Sequence, residues 1–105
     1  MENSKNCIDA CLACAIECES CTTKCVAACS KEHEKCIALC RDCADICALC
    51  ARLEARGSAY TKAVCKVCAD VCNACAAECE KLSAHECCKK CAEACKKCAT
   101  ACSSM

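Results

Sequence analysis

The stretch from Cys7 to Cys29, CIDACLACAIECESCTTKCVAAC, decides the fold. Its cysteines stand at Cys7, Cys11, Cys14, Cys18, Cys21, Cys25 and Cys29, in steps of three and four residues. An α-helix turns once every ~3.6 residues, so such steps put every one of these sulfurs on one face. In an ordinary bundle helix that face carries Leu, Ile and Val as the core. Here thiols hold those positions. The same rhythm returns at Cys36, Cys40, Cys43, Cys47 and Cys50, then at Cys65, Cys68, Cys72, Cys75 and Cys79, then at Cys87, Cys88, Cys91, Cys95, Cys98 and Cys102. These four stripes account for all 23 cysteines of the chain.

Composition points the same way. The 105 residues suit one domain, residues 1–105, with a modest core. Proline is absent, glycine occurs once and Tyr60 is the single aromatic residue, while alanine is abundant, so helix is favoured throughout. Lys plus Arg and Asp plus Glu each total 14, and no excess of basic charge argues for nucleic acid or an anionic membrane as a partner. The polar start MENSKN and the lack of a long apolar run predict neither an export signal nor a membrane span.

A cysteine-rich short chain is most often a secreted disulfide scaffold. Three features oppose that reading: no secretion signal, an odd number of cysteines, and helical rather than loop-like spacing. Neighbours at i,i+3 or i,i+4 also hold their Cβ atoms ~5–6 Å apart, whereas a disulfide needs ~3.8 Å. Reduced thiols in a reducing, cytoplasmic compartment are the better expectation.

The stripes predict an all-α fold, an antiparallel four-helix bundle with a cysteine-lined core. The first helix is expected over residues 5–29. Ser30 is expected to cap a second helix that runs to about residue 55, where Gly57 stops it in the left-handed conformation. Ser58 opens a third, ending near Leu82. Ser83 and Glu86 form a capping-box pattern for a fourth that runs to Cys102. An internal repeat supports the division: a shift of 54 places Cys11, Cys14, Cys18, Cys21 and Cys25 on Cys65, Cys68, Cys72, Cys75 and Cys79, and a shift of 55 places Cys36, Cys40, Cys43 and Cys47 on Cys91, Cys95, Cys98 and Cys102. Two similar hairpins make the bundle. Leu39, Ile46, Leu53, Val64, Val71, Ala94 and Ala101 are expected on the shoulders of the stripes, sealing the seam.

Cysteine is also a small apolar core residue, but packing alone does not account for 23 of them. A core of Cys and Ala buries little area per residue. Thiolates are soft ligands that select Cu(I), Zn(II) and iron–sulfur clusters. With a metal–sulfur length of ~2.3 Å, a two-coordinate ion spans sulfurs ~4.6 Å apart, which a CxxxC pair on a helix can meet. The chain holds many such pairs, from Cys7/Cys11 to Cys98/Cys102. Many Cu(I) ions, between ~15 and ~23 per chain, are the expected cargo. A metallothionein-like zinc or mixed-metal buffer is the alternative, holding about half as many ions or fewer. No Ser-His-Asp set, no cleft of paired carboxylates and no Gly-rich phosphate loop is visible, so no enzyme is expected.

The blocks CIALCRDCADICALCA and CKVCADVCNACAAECEK, with the His85 region and CAEACKKCATAC, resemble the bacterial four-helix-bundle copper storage proteins over nearly the whole chain. The resemblance implies an interior that stores Cu(I) on cysteine thiolates, histidines at an open end, and a homotetramer. It is to the cytosolic type, which lacks an export signal.

His33 and His85 each fall near a helix start, at the same end of an antiparallel bundle. They are either solvated polar residues or a mouth where imidazole passes Cu(I) between the thiolate column and copper donor or acceptor molecules. Lys89, Lys90, Lys96 and Lys97 read as a solvated face. Leu12 and Ile16 point away from the thiols and offer an oligomer contact. Met1 and Met105 are expected on mobile tails.

Overall fold

In the computed structural model, which describes residues 2–105, four α-helices carry the four stripes. They are α1 (Glu2–Ala28), α2 (Glu34–Ala55), α3 (Thr61–Glu80) and α4 (Glu86–Ser103), with a 3-10 turn at Lys31–His33 ahead of α2. Met1 lies outside the described residues. Short connections make successive helices antiparallel, and each packs against its two neighbours in the ring α1–α2–α3–α4. The bundle measures 41 × 17 × 17 Å. One end holds the α1–α2 and α3–α4 connections. The other holds the α2–α3 connection and the end of α4.

The core is sulfur and alanine. Twenty-one cysteines are buried, joined by Ala44, Ala51, Ala69, Ala76, Ala92, Ala99 and Leu82. The alanines pair at seven-residue spacing on α2, α3 and α4, where a small side chain lets the helices close on the thiols. Leu39, Ile46, Val64, Val71, Ala94 and Ala101 pack half-buried against this core as expected, and so do Ile8 and Ile37. Met105 also packs against it, its N–H bonded to the Cys102 carbonyl at 3.2 Å, so it is no free tail.

Helix ends follow the backbone rather than the serines. Gly57 has φ 64°, its N–H bonds the Glu54 carbonyl at 3.1 Å, and the Ser58 N–H bonds the Leu53 carbonyl at 3.0 Å, a Schellman stop for α2. The Ser58 hydroxyl accepts the Tyr60 N–H at 3.1 Å, organising the turn ahead of Thr61. Ser30 makes no side-chain cap, and the Ser83–Glu86 box does not form. After Glu80 the chain spends residues 81–84 in tight turns, with N–H groups of Lys81, Leu82 and His85 bonded three residues back. Hence His85, not Ser83, precedes α4 directly, and His33 likewise is the residue before α2.

The first stripe ends one residue early. α1 stops at Ala28, and Cys29 takes φ 51°, a left-handed conformation that costs a non-glycine residue roughly 1–2 kcal/mol. Its thiol contacts the Val26 carbonyl at 3.4 Å and is exposed.

Helix propensity, the Schellman stop and thiol packing need no metal, so the reduced, metal-free protein is expected to give a predominantly helical circular dichroism spectrum. A Cβ added at Gly57 meets nothing within 4 Å. Gly57→Ala is therefore expected to lower the stability of that metal-free form by about 1 kcal/mol, through backbone strain alone. Chemical denaturation followed by the helical signal measures both; a coil spectrum or an unchanged midpoint contradicts them.

Candidate metal centre

A helix returns to one face every three or four residues, so each stripe delivers a row of thiols to the bundle axis, and four rows meet there. Eight CxxxC pairs have sulfurs 3.8–4.0 Å apart. Contacts between helices are tighter, down to 3.3 Å for Cys50–Cys65 and 3.4 Å for Cys36–Cys79. Diagonal helices also touch through sulfur, as in Cys47–Cys98 and Cys40–Cys91, both at 3.7 Å. An unbroken path of sulfur contacts no longer than 4.0 Å runs Cys7–Cys102–Cys98–Cys47–Cys43–Cys95–Cys91–Cys40–Cys36. The thiols thus form one column along the bundle. All are free, with no disulfide.

Sets of four converge repeatedly. Cys7, Cys50, Cys65 and Cys102 lie within 4.8 Å of one another, as do Cys11, Cys47, Cys68 and Cys98, and Cys14, Cys18, Cys43 and Cys95. With a metal–sulfur length of ~2.3 Å, linear, trigonal and tetrahedral ions need sulfur separations of ~4.6, ~4.0 and ~3.8 Å. The column brackets all three, and a small rotamer change at each thiol reaches any of them.

Burial pushes the thiols near the column's ends up: Cys7 and Cys88, Cys25 to about 11 and Cys65 to about 12. Deeper in, hydrogen bonds between thiols dominate. Cys14 is held down at about 7 by its bond to Cys18, and Cys75 at about 6 by Cys18 and then Cys40. Along α4 the direction alternates, with Cys91 and Cys98 lowered and Cys88, Cys95 and Cys102 raised. The cause is physical: a thiolate is stabilised by S–H donors, and those donors must keep their protons.

Two of the sequence-marked cysteines stand apart from the column. Cys29 is exposed, and Cys87 is half-buried with its sulfur 4.0 Å from that of Cys88. The histidines are brought together. His33 and His85 meet edge to face with ring centroids 4.7 Å apart, at the end where Cys36, Cys79 and Cys88 close the column. His33 is 1% exposed, which contradicts a solvated residue, while His85 is open to solvent. The Nδ1 atom of His33 is buried without a partner, and its Nε2 stands 3.9 Å from Glu32.

Two buried acids escaped the reading of the sequence. Glu78 is held by Lys81 at 3.3 Å and Lys35 at 3.7 Å, tying α3 to α2. Glu54 is buried at the end opposite the histidines with both carboxylate oxygens unpaired. Its signal was available: it follows Cys50 by four residues, in phase with the α2 stripe.

Thiol accessibility gives a direct check on this geometry. A thiol-specific chromogenic reagent added to reduced, metal-free protein is expected to label Cys29 first and Cys87 more slowly, with the 21 buried thiols reacting only on unfolding. Cys29→Ser removes the fast phase. Rapid labelling of many thiols in the folded protein contradicts a closed column.

A family model described as Csp, copper storage protein, matches residues 1–105. No curated protein sequence matches the chain. Among solved structures, the Cu(I)-bound copper storage protein BsCsp3 is 44% identical with a TM-score of 0.92, the match covering 98% of this chain and 97% of that one. The apo form of copper storage protein 3 from Bacillus subtilis is 44% identical, with TM-score 0.89 over 96% of each chain. A cytosolic copper storage protein from Streptomyces lividans, described with five coppers, is 39% identical, with TM-score 0.91 over 98% of this chain and 91% of its own.

Proposed function

The chain belongs to the copper storage protein family, and from that membership we propose that residues 1–105 form one storage unit that binds many Cu(I) ions on the thiolates of its column. The observation that carries this is the column itself, 21 buried free thiols in contact along the bundle, in a fold whose relatives are described as Cu(I)-bound and copper-loaded. The ligands are Cys7, Cys11, Cys14, Cys18, Cys21 and Cys25 of α1 together with the buried stripes of α2, α3 and α4; Cys29 and Cys87 serve at the mouth. Storage, not catalysis, is the role that the family implies. The cytoplasm is the compartment, supported by the cytosolic Streptomyces lividans relative and by a chemistry that needs reduced thiols. No helix among the described residues is long and apolar enough to cross a membrane.

Each Cu(I) that binds a thiol displaces one proton, so uptake releases acid and apparent affinity rises with pH. The sign follows from the raised thiols: below about 11 at Cys25 and about 12 at Cys65 the metal must remove a proton, and that opposition weakens as pH climbs toward those values. If each ion takes two or three thiolates and each thiolate bridges two ions, 21 buried thiols hold about 14 to about 21 Cu(I). Anaerobic titration against a competing Cu(I) chelator, with proton release recorded, is expected to show a capacity in that range. Saturation at a few Cu(I), alongside tighter zinc clusters, overturns the reading in favour of a zinc buffer.

His33 and His85 form the mouth. The unpartnered Nδ1 of His33, buried next to an exposed His85, supports a relay in which imidazole carries Cu(I) between a donor or acceptor molecule and Cys36, Cys79 and Cys88. Replacing both with Phe and Ala respectively is expected to slow loading and stripping at least about tenfold, with capacity reduced by no more than one or two ions. Equal stopped-flow rates for the two proteins contradict the relay.

A homotetramer is proposed on the family's account and on the exposed apolar residues of α1, Leu12 at 47% and Ile16 at 68% exposure. A single-chain mass in solution overturns it.

A further inference from the structure

Among the described residues, the buried side-chain polar atoms without a partner are His33 Nδ1, both carboxylate oxygens of Glu54, and Thr61 Oγ1. The histidine belongs to the mouth. The three oxygens sit at the opposite end, where α2 stops and α3 begins. A buried carboxylate that accepts no hydrogen bond is costly unless something binds it.

Glu54 is 8% exposed and stands in stripe phase, at the position a sixth thiol of α2 would occupy. Thr61 precedes Cys65 by four residues, so it too extends its stripe. The thiols that close this end are Cys7, Cys50, Cys65 and Cys102, all within 4.8 Å of one another, with Cys7–Cys102 at 3.5 Å and Cys50–Cys65 at 3.3 Å. Glu54 acts on two of them. Its carboxylate stands beside Cys7 and Cys65.

We propose that Glu54 is an oxygen ligand which, with thiols of this terminal set, binds one divalent ion of borderline softness, Zn(II), at the end of the column away from the histidines. Zn(II) takes sulfur and carboxylate oxygen together in a tetrahedral shell, with sulfur–sulfur edges of ~3.8 Å that the terminal set brackets. Cu(I), being soft, gains little from a carboxylate and is better served by the sulfur-only interior. The carboxylate supplies a negative donor without breaking an S–H bond, while each thiol that joins it gives its proton to solvent. Zinc is therefore bound most tightly at this end. The proposal shares its thiols with the copper reading but does not depend on how many Cu(I) ions the column holds.

The test uses reduced, metal-free full chain, titrated with Zn(II) against a chromophoric chelator at fixed pH. One zinc is expected to bind at least about tenfold tighter than the rest, and Glu54→Gln is expected to abolish that first step. X-ray absorption of the one-equivalent zinc complex should show oxygen with sulfur in the first shell of the wild type, and sulfur alone in Glu54→Gln. Glu54→Asp, which keeps the charge, should retain an intermediate affinity, and the Cu(I) capacity of Glu54→Gln should equal that of the wild type. An all-sulfur shell in the wild type overturns the proposal, as does equal first-zinc affinity in Glu54→Gln. So does a Glu54→Gln effect confined to Cu(I), which would make the carboxylate part of the copper column. The wild-type absorption measurement stands even if Glu54→Gln folds poorly. A low Cu(I) capacity in wild type would sink the storage reading while leaving the zinc result intact.

Discussion

Thiol packed against thiol is the interaction on which the structure depends. A buried S–H is a weak donor and small in volume, so it enters a core at little desolvation cost, yet it brings little apolar area with it. Four helices can be held by such a core only if they approach closely enough for sulfur to meet sulfur at 3.3 to 4.0 Å. The alanine pairs Ala44/Ala51, Ala69/Ala76 and Ala92/Ala99 permit that approach. The branched residues on the shoulders, Ile8, Ile37, Ile46, Val64 and Val71, supply the apolar cover that the thiols do not. A bulky side chain at a column position would force the helices apart and break sulfur contacts on both sides of it, which is why the stripes are so uniform.

The same packing governs charge. Two thiolates 3.7 Å apart in a dry interior repel strongly, so an anion in the column needs protonated neighbours, and the alternating directions along α4 express that need. A monovalent cation per thiolate removes the conflict, since every ion that enters replaces one proton and the interior charge does not change. The chain itself carries equal numbers of acidic and basic groups, so a neutral column leaves the whole molecule near zero formal charge. A divalent ion keeps the interior neutral only at two thiolates apiece, which halves the number of ions the column accommodates.

Most of this was legible in the sequence because the signal was periodic. The spacing of cysteines determined the number of helices and their inner faces, the short connections their antiparallel order, and Gly57 marked a true stop. What escaped was decided in single turns. Cys29 is in phase by count but falls beyond the last helical residue, where a left-handed backbone carries its thiol out of the column. The Ser83–Glu86 pattern satisfied a capping rule, yet the tight turns after Glu80 placed the helix start past it. His33 looked like a polar helix-start residue and is buried against His85, a contact between two loops far apart in sequence that no local rule reports. Glu54 carries no sulfur, and only the phase of the α2 stripe beyond Cys50 points to its burial.

The ends of the column are where the molecule becomes directional. Its middle is nearly symmetric, because the repeat superposes five thiols of α1 on those of α3 and four of α2 on those of α4. At the mouth that symmetry persists, since both short connections end on a histidine immediately before the next helix. At the far end it fails. The shift of 55 residues that superposes Cys47 on Cys102 places Cys50 on Met105, so a thioether stands where the repeat would have a thiol, and Glu54 closes α2 there with an ionisable oxygen. Imidazoles therefore bound the sulfur column at one end, and a carboxylate with a thioether at the other. On the proposed relay, a soft ion would meet paired imidazoles at the histidine end, whereas the far end offers a carboxylate, which it does not favour, beside the single thioether of Met105. The proposed histidine relay would thus give an internally repeated bundle one distinct door for Cu(I), without any moving part.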